Sequence, residues 1–208
     1  MELQLAYFHL GLLPTNTYVL FNEEGHAVLV DPAVYREDVY EAMVDMGVKT
    51  LDYILLTHGH FDHILGVPGF KEKFPEAKVV ISEDDEAFLF DPVLSHSALH
   101  GIAQESVNPD ILVKDGDELP WEGETFQVLH TPGHTAGSVC FLLNNMLFCG
   151  DTLFRMSCGR TDFPESIPEK MGPSLKKLAA LPGNYTVLPG HNEFSDLDFE
   201  RANNPYMR

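Results

Sequence analysis

Within six positions the chain sets three imidazoles and a carboxylate, His58, His60, Asp62 and His63, directly after the apolar run LDYILLT (51–57). Imidazole nitrogens and carboxylate oxygens are ligands for first-row divalent ions such as zinc and iron. Side chains of extended backbone alternate faces, so His58 and His60 point the same way and can grip one ion. His63 breaks that parity, so a turn after His60 could direct Asp62 and His63 elsewhere, towards a second ion. A solvated loop that gathers histidines by chance is the ordinary alternative, but a chain with ten histidines rarely puts three of them and an Asp straight behind a buried strand. Three more ligand-type residues recur in one setting, each beside glycine at the end of a strand-like run: His134 in TPGHT, Asp151 in CGDTLF and His191 in LPGH. Rigid sheets commonly position functional groups on such loops, and glycine permits close backbone approach. Singly, Asp151 reads as a cap and His134 or His191 as a loop histidine. Beside the first cluster they read as the rest of a metal centre.

The elements that must position these residues follow from periodicity. Residues 2–10, 16–21 and 26–31 read as strands, the second and third joined by the turn Glu23-Glu24-Gly25. REDVYEAMVDM (36–46) has apolar positions at helical spacing, acids in its first turn and Gly47 as its stop. Residues 51–57 read as a strand buried on both faces, 64–74 as a helix and 78–82 as a strand. The segment 83–110, with a short helical piece and then SHSALHGIAQES, reads as a variable region near the site. Strands follow at 125–131, 137–143 and 146–150, the last two joined at Asn144-Asn145, then a helix over 168–180, a strand at 186–190 and a C-terminal helical stretch. Both halves run strand, helix and an acid at a strand end (Asp31 and Asp151), a pattern that hints at an old duplication. Strands with interleaved helices predict sheets packed inside outer helices, in one domain spanning 1–208.

Hydrophobic residues make up 44% of the chain and charged residues 22%, a composition that folds around a core and is far from disordered. The net charge of −19 repels nucleic-acid phosphates and anionic lipid, so neither nucleic acid nor membrane is an expected partner. The N-terminal MELQLAYFHLGLLP has no basic residue before its apolar stretch and does not read as a signal peptide. Three cysteines, Cys140, Cys149 and Cys158, are an odd number without paired spacing, which fits a reducing cytoplasm.

With these residues in order, the chain resembles the metallo-β-lactamase superfamily, whose signature is HxHxDH followed by a distant His, a distant Asp and a final His. The resemblance implies an α/β fold, a four-layer αββα sandwich with its site at one edge of two facing sheets. Carried onto this sequence, it implies that His58, His60 and His134 bind a first metal and Asp62, His63 and His191 a second, with Asp151 bridging both. It further implies two divalent ions, zinc with iron or manganese as the other candidates. A bridging hydroxide would then be the nucleophile, with Asp62 orienting it and shuttling its proton.

The loop GDTLFRMSCGRTDFP (150–164) and the closing FERANNPY (199–206) are similar to those of short bacterial glyoxalase II-like proteins. The expected activity is therefore hydrolysis of a thioester of the hydroxyacyl-glutathione kind, a small-molecule substrate. Arg160 stands where those enzymes carry a cation for the substrate carboxylate, although pairing with Asp162 or Glu165 is the equal alternative. Larger glyoxalase II enzymes continue into a C-terminal helical region that helps bind glutathione, and place a Tyr where this chain has Glu193. The loop, here SCGRTDF, is also similar to that of persulfide dioxygenases, whose single iron uses the equivalents of His58, His134 and Asp151 or a similar subset. A non-enzymatic metal-binding protein would show a missing ligand, and none is missing. His9, His26, His96, His100 and His130 read as ordinary histidines, and the cysteines as structural thiols.

Overall fold

Hairpins join neighbouring antiparallel strands, whereas parallel neighbours need a crossover, and both kinds of connection build the first part of the chain. The computed structural model describes residues 2–208. It divides into two compact units, one of the residues up to Ile81 with Glu86–Leu112, the other of Ser82–Asp85 with Val113–Arg208.

In the first unit β1 (Leu3–Leu10), β2 (Thr15–Asn22) and β3 (His26–Val30) form an antiparallel meander. Helix α1 (Glu37–Asp45) crosses to β4 (Thr50–Leu55), parallel to β3, and α2 (Phe61–Ile64) with α3 (Val67–Lys73) cross to β5 (Lys78–Ser82), parallel to β4. A short β6 (Ile111–Val113) completes a six-stranded sheet in the order β1-β2-β3-β4-β5-β6. Glu37 and Asp38 sit in the first turn of α1, where the helix dipole favours them, and Val39 and Met43, one turn apart, are its buried stripe. They pack with Leu29, Ile54, Val79 and Phe70, each such buried side chain contributing about 2 kcal/mol of apolar transfer.

The second unit carries β7 (Glu118–Trp121), β8 (Glu124–His130), β9 (Val139–Leu143), β10 (Met146–Gly150) and the short pair β11 (Leu153–Phe154) and β12 (Ser157–Cys158). Helix α4 (Pro168–Ala179) leads to β13 (Thr186–Pro189), and β14 (Ser195–Asp196) and α5 (Leu197–Asn203) follow. Its main sheet runs β14-β13-β10-β9-β8-β7, with β13 parallel to β10 and α4 as the crossover. Asn144, in the two-residue turn between β9 and β10, has φ 53°, the left-handed backbone that such hairpins require. Met171, Leu175 and Leu178 of α4 pack over Cys140, Leu147 and Val187.

Among the longer elements, two differ from the sequence expectation. The helix expected over 64–74 is instead two, and the first already contains Asp62 and His63. The chain breaks at Gly66, whose N–H leaves the helical pattern for the Pro32 carbonyl at 2.7 Å. Strand β7 went unseen because Pro120 lies in it, and β7 is an edge strand, where the missing N–H costs no ladder bond. No helix among the described residues is long and apolar enough to cross a membrane.

Candidate metal centre

The first unit gathers four of the expected ligands. Beyond β4, Leu56 still bonds β5 through Val80 (2.9 Å), which carries the chain to Thr57 and His58 as an extension of the sheet. The His58 and His60 rings lie 4.9 Å apart, on the same side as their spacing implied. His60 is then the N-cap of α2. In a helix consecutive residues turn by about 100° instead of 180°, which is why parity fails from this point. Asp62 and His63 become neighbours, with Asp62 Oδ2 3.6 Å from His63 Nε2, and the His63 ring is 4.1 Å from that of His58. All four residues are buried.

Their orientation comes from residues the sequence did not single out as part of the site. Asp31, buried at the end of β3 with φ 50°, accepts hydrogen bonds from Thr57 N (2.8 Å), Thr57 Oγ1 (2.7 Å) and His63 Nδ1 (2.9 Å). Because the one Thr57 hydroxyl proton goes to Asp31, the oxygen is left to accept from His58 Nδ1 at 3.1 Å. Both rings therefore carry their proton on Nδ1 and keep the Nε2 lone pair for a ligand. Thr15 donates to Asp62 Oδ2 at 3.3 Å. An acid at a strand end next to proline was the available signal for Asp31. Its partners lie 26 and 32 positions away and have no local signature.

Gly59, between the two histidines, has no room for a side chain, since a β-carbon there would meet Phe88 Cβ at 2.3 Å. Gly59→Ala is expected to destabilise the protein by about 1–3 kcal/mol and to lower its metal content, as read by thermal melting and elemental analysis.

The second unit holds the other three. Asp151 Oδ2 lies 3.5 Å from His134 Nε2 and 3.5 Å from His191 Nε2, so one carboxylate oxygen serves two imidazoles. His134 Nδ1 donates to the Arg160 carbonyl at 2.8 Å, which again leaves Nε2 as the ligand atom. Buried Asp85 braces the His134 loop by accepting from Thr135 Oγ1 and Gly137 N, each at 2.7 Å. Gly190 N bonds the Gly150 carbonyl at 2.8 Å and ties the Asp151 and His191 loops together. Gly159 passes so close to the Asp151 carbonyl that a β-carbon would lie 1.8 Å from its oxygen.

The loop 150–164 is held by the C-terminal stretch. Buried Glu200 accepts from Met156 N at 2.9 Å, and Asn204 Nδ2 donates to Ser157 O at 2.9 Å. FERANNPY is thus the brace of that loop. Arg160 makes two hydrogen bonds to Asp162, at 2.6 and 2.7 Å, and lies 4.3 Å over the Phe163 ring. That guanidinium holds the Asp162 carboxyl below its usual range. Glu193 is an exposed partner of Arg155 at 2.8 Å.

Burial pushes the Cys140 thiol up to about 11, raises Cys149 well above its ordinary value and raises half-buried Cys158. Raised thiols stay protonated near neutrality and are poor nucleophiles. Iodoacetamide at pH 8 is therefore expected to leave Cys140 and Cys149 of the folded protein unlabelled; intact-mass detection of both before unfolding would contradict this.

Neutral imidazoles with fixed Nε2 lone pairs, together with two carboxylates, suit zinc, iron or manganese. Ligand groups of this kind on two sheet-bearing units define an α/β metalloprotein. The metallo-beta-lactamase superfamily profile matches residues 10–191. The chain is 37% identical to a hydroxyacylglutathione hydrolase of Aeromonas hydrophila over 187 residues, 89% of this chain and 65% of that one. It thus spans just under two thirds of that relative's length. A crystal structure of the BLEG-1 B3 metallo-beta-lactamase is 33% identical with a TM-score of 0.92, covering 98% of this chain and 99% of that one. The structure of TTHA1623 in a di-iron-bound form is 34% identical with a TM-score of 0.84, covering 97% and 99%. The chain belongs to the metallo-beta-lactamase superfamily and has its α/β fold.

Proposed function

We propose that the chain is a metal-dependent hydrolase of a thioester, of the hydroxyacyl-glutathione kind. Its two ligand groups would form one centre in a single domain, with His58, His60 and His134 on a first ion, Asp62, His63 and His191 on a second, and Asp151 on both. The observation that carries this reading is the complete donor set, with lone pairs oriented by hydrogen bonds to Asp31, Thr57 and the Arg160 carbonyl. Support also comes from the di-iron form of TTHA1623 and from the hydrolase name of the Aeromonas relative.

When bound, two such ions supply the positive charge that polarises a scissile carbonyl and acidifies a water. Asp62, steadied by Thr15, orients that water and takes its proton. Asp31 accepts from Thr57 Oγ1 and from His63 Nδ1 and keeps two ligand rings aligned. Arg160, exposed at the end of its loop, exchanges Asp162 for an acidic group of the substrate. The thiols take no part. A small-molecule substrate and a cytoplasmic setting accompany this reading.

The test is a substrate panel on purified protein loaded with zinc or with iron: S-lactoylglutathione, the chromogenic β-lactam nitrocefin, and glutathione persulfide in an oxygen electrode. Thioester cleavage that chelator abolishes and added metal restores is the expected result. Nitrocefin turnover without thioester cleavage would overturn the substrate class. One iron per chain with oxygen uptake would overturn the hydrolase reading in favour of a persulfide dioxygenase.

A further inference from the structure

His96 lies outside the seven expected ligands, yet two independent features converge on it. Its backbone is left-handed, with φ 68°, a conformation disfavoured for a residue with a β-carbon and kept only where the surroundings over-determine it. Its imidazole stacks on that of His60, with centroids 4.9 Å apart and planes at 29°. Phe88 meets the same His60 ring edge-on at 5.8 Å.

The residues on either side of His96 are clamped to α2 and to Phe88. The Ser95 carbonyl accepts from Phe61 N, the first residue of α2, at 2.8 Å. Buried Ser95 and Ser97 both donate their hydroxyls to Gln104 Oε1, Ser97 at 3.1 Å, and Gln104 Nε2 donates to the Phe88 carbonyl at 2.8 Å. One amide thus fixes both flanks of His96 and the backbone of the other ring that packs on His60. The His100 ring adds a contact on Phe61 at 4.6 Å. A segment that only closed a loop would need neither the strained backbone nor the stack.

His58, His63 and His134 have their ring planes set by hydrogen bonds at Nδ1. We propose that His96 is the positioning residue for His60: its stacked ring sets the plane of the His60 imidazole and so the direction of the lone pair offered to the first ion. The inference rests on the reading of His60 as a metal ligand. Residues that orient ligands commonly change metal affinity by about 10- to 100-fold, and an aromatic stack belongs at the lower end of that range.

The experiment is a zinc titration of the metal-free protein against a chromophoric chelator, which needs no substrate. His96→Gly removes the ring and relieves the backbone, His96→Phe keeps a ring that can stack, and His60→Ala is the reference for loss of the ligand. Expected are loss of one of the two zinc sites in His60→Ala, roughly 10-fold weaker binding at that same site in His96→Gly, and affinity within about 2-fold of the parent in His96→Phe. Circular dichroism and melting of the metal-free forms check folding. If His96→Gly does not fold, His96→Leu against His96→Phe makes the same comparison. Parent-like zinc binding in His96→Gly, or equal weakening in His96→Phe, overturns the role of His96. Parent-like zinc binding in His60→Ala overturns the ligand reading itself, and the inference with it.

Discussion

Asp151→Ala is expected to remove both metal ions and to reduce turnover by roughly 10³-fold or more. The Asp151 Oδ2 atom is 3.5 Å from the Nε2 atoms of His134 and of His191, which the proposed centre assigns to different ions. No other carboxylate in the proposed set is shared, so its loss weakens both positions together and also removes a negative charge that two cations need nearby. His191→Ala should behave differently, depleting only the second ion. Asp151→Asn separates geometry from charge: the amide has nearly the shape of the carboxylate but offers one neutral oxygen. Elemental analysis with thermal melting of the metal-free forms reads all three. Full loading of two ions in Asp151→Ala would exclude the bridge.

Local spacing made some of this centre legible and left the rest hidden. His58 and His60 could be paired from sequence because they follow a strand and keep its two-residue repeat. Asp62 and His63 could be named as ligands but not aimed, since the switch from extended chain to helix at His60 depends on α2 docking under the Ser95 carbonyl. Asp31 was visible only as an acid at a strand end, and Asp85 not at all, because what they brace lies far along the chain. The balance between two roles for Arg160 could not be struck from sequence, and the bidentate pair with Asp162 shows its resting partner. For the fold, the apolar runs marked the long strands correctly, whereas β7 was concealed by Pro120 and β11, β12 and β14 by their two-residue length. Short edge elements owe their form to neighbours rather than to their own pattern.

Asp31→Asn is expected to lower metal affinity by about 10- to 100-fold while changing stability much less. Asp31 Oδ2 accepts from both Thr57 Oγ1 and His63 Nδ1. With Oδ1 kept for Thr57 N, an asparagine would point its NH2 group at those two donors. The Thr57 hydroxyl could turn to accept from that NH2, but its own proton would then need a new acceptor, and His58 Nδ1 at 3.1 Å is within reach of it. His58 would be driven to carry its proton on Nε2, the atom proposed to bind metal, and His63 would be driven the same way. One substitution outside the ligand set thus disables two ligands through their tautomers. Asp31→Ala should be worse in a different manner. It strands the buried Thr57 N–H and hydroxyl, at about 1–3 kcal/mol each, and leaves at φ 50° a residue whose side chain makes no hydrogen bond to hold that backbone. The pair is told apart by measurement: Asp31→Asn should melt near the parent when metal-free yet bind zinc weakly, whereas Asp31→Ala should lose several kcal/mol of stability even without metal. Parent-like zinc affinity in Asp31→Asn would show that the carboxylate does not set the two rings.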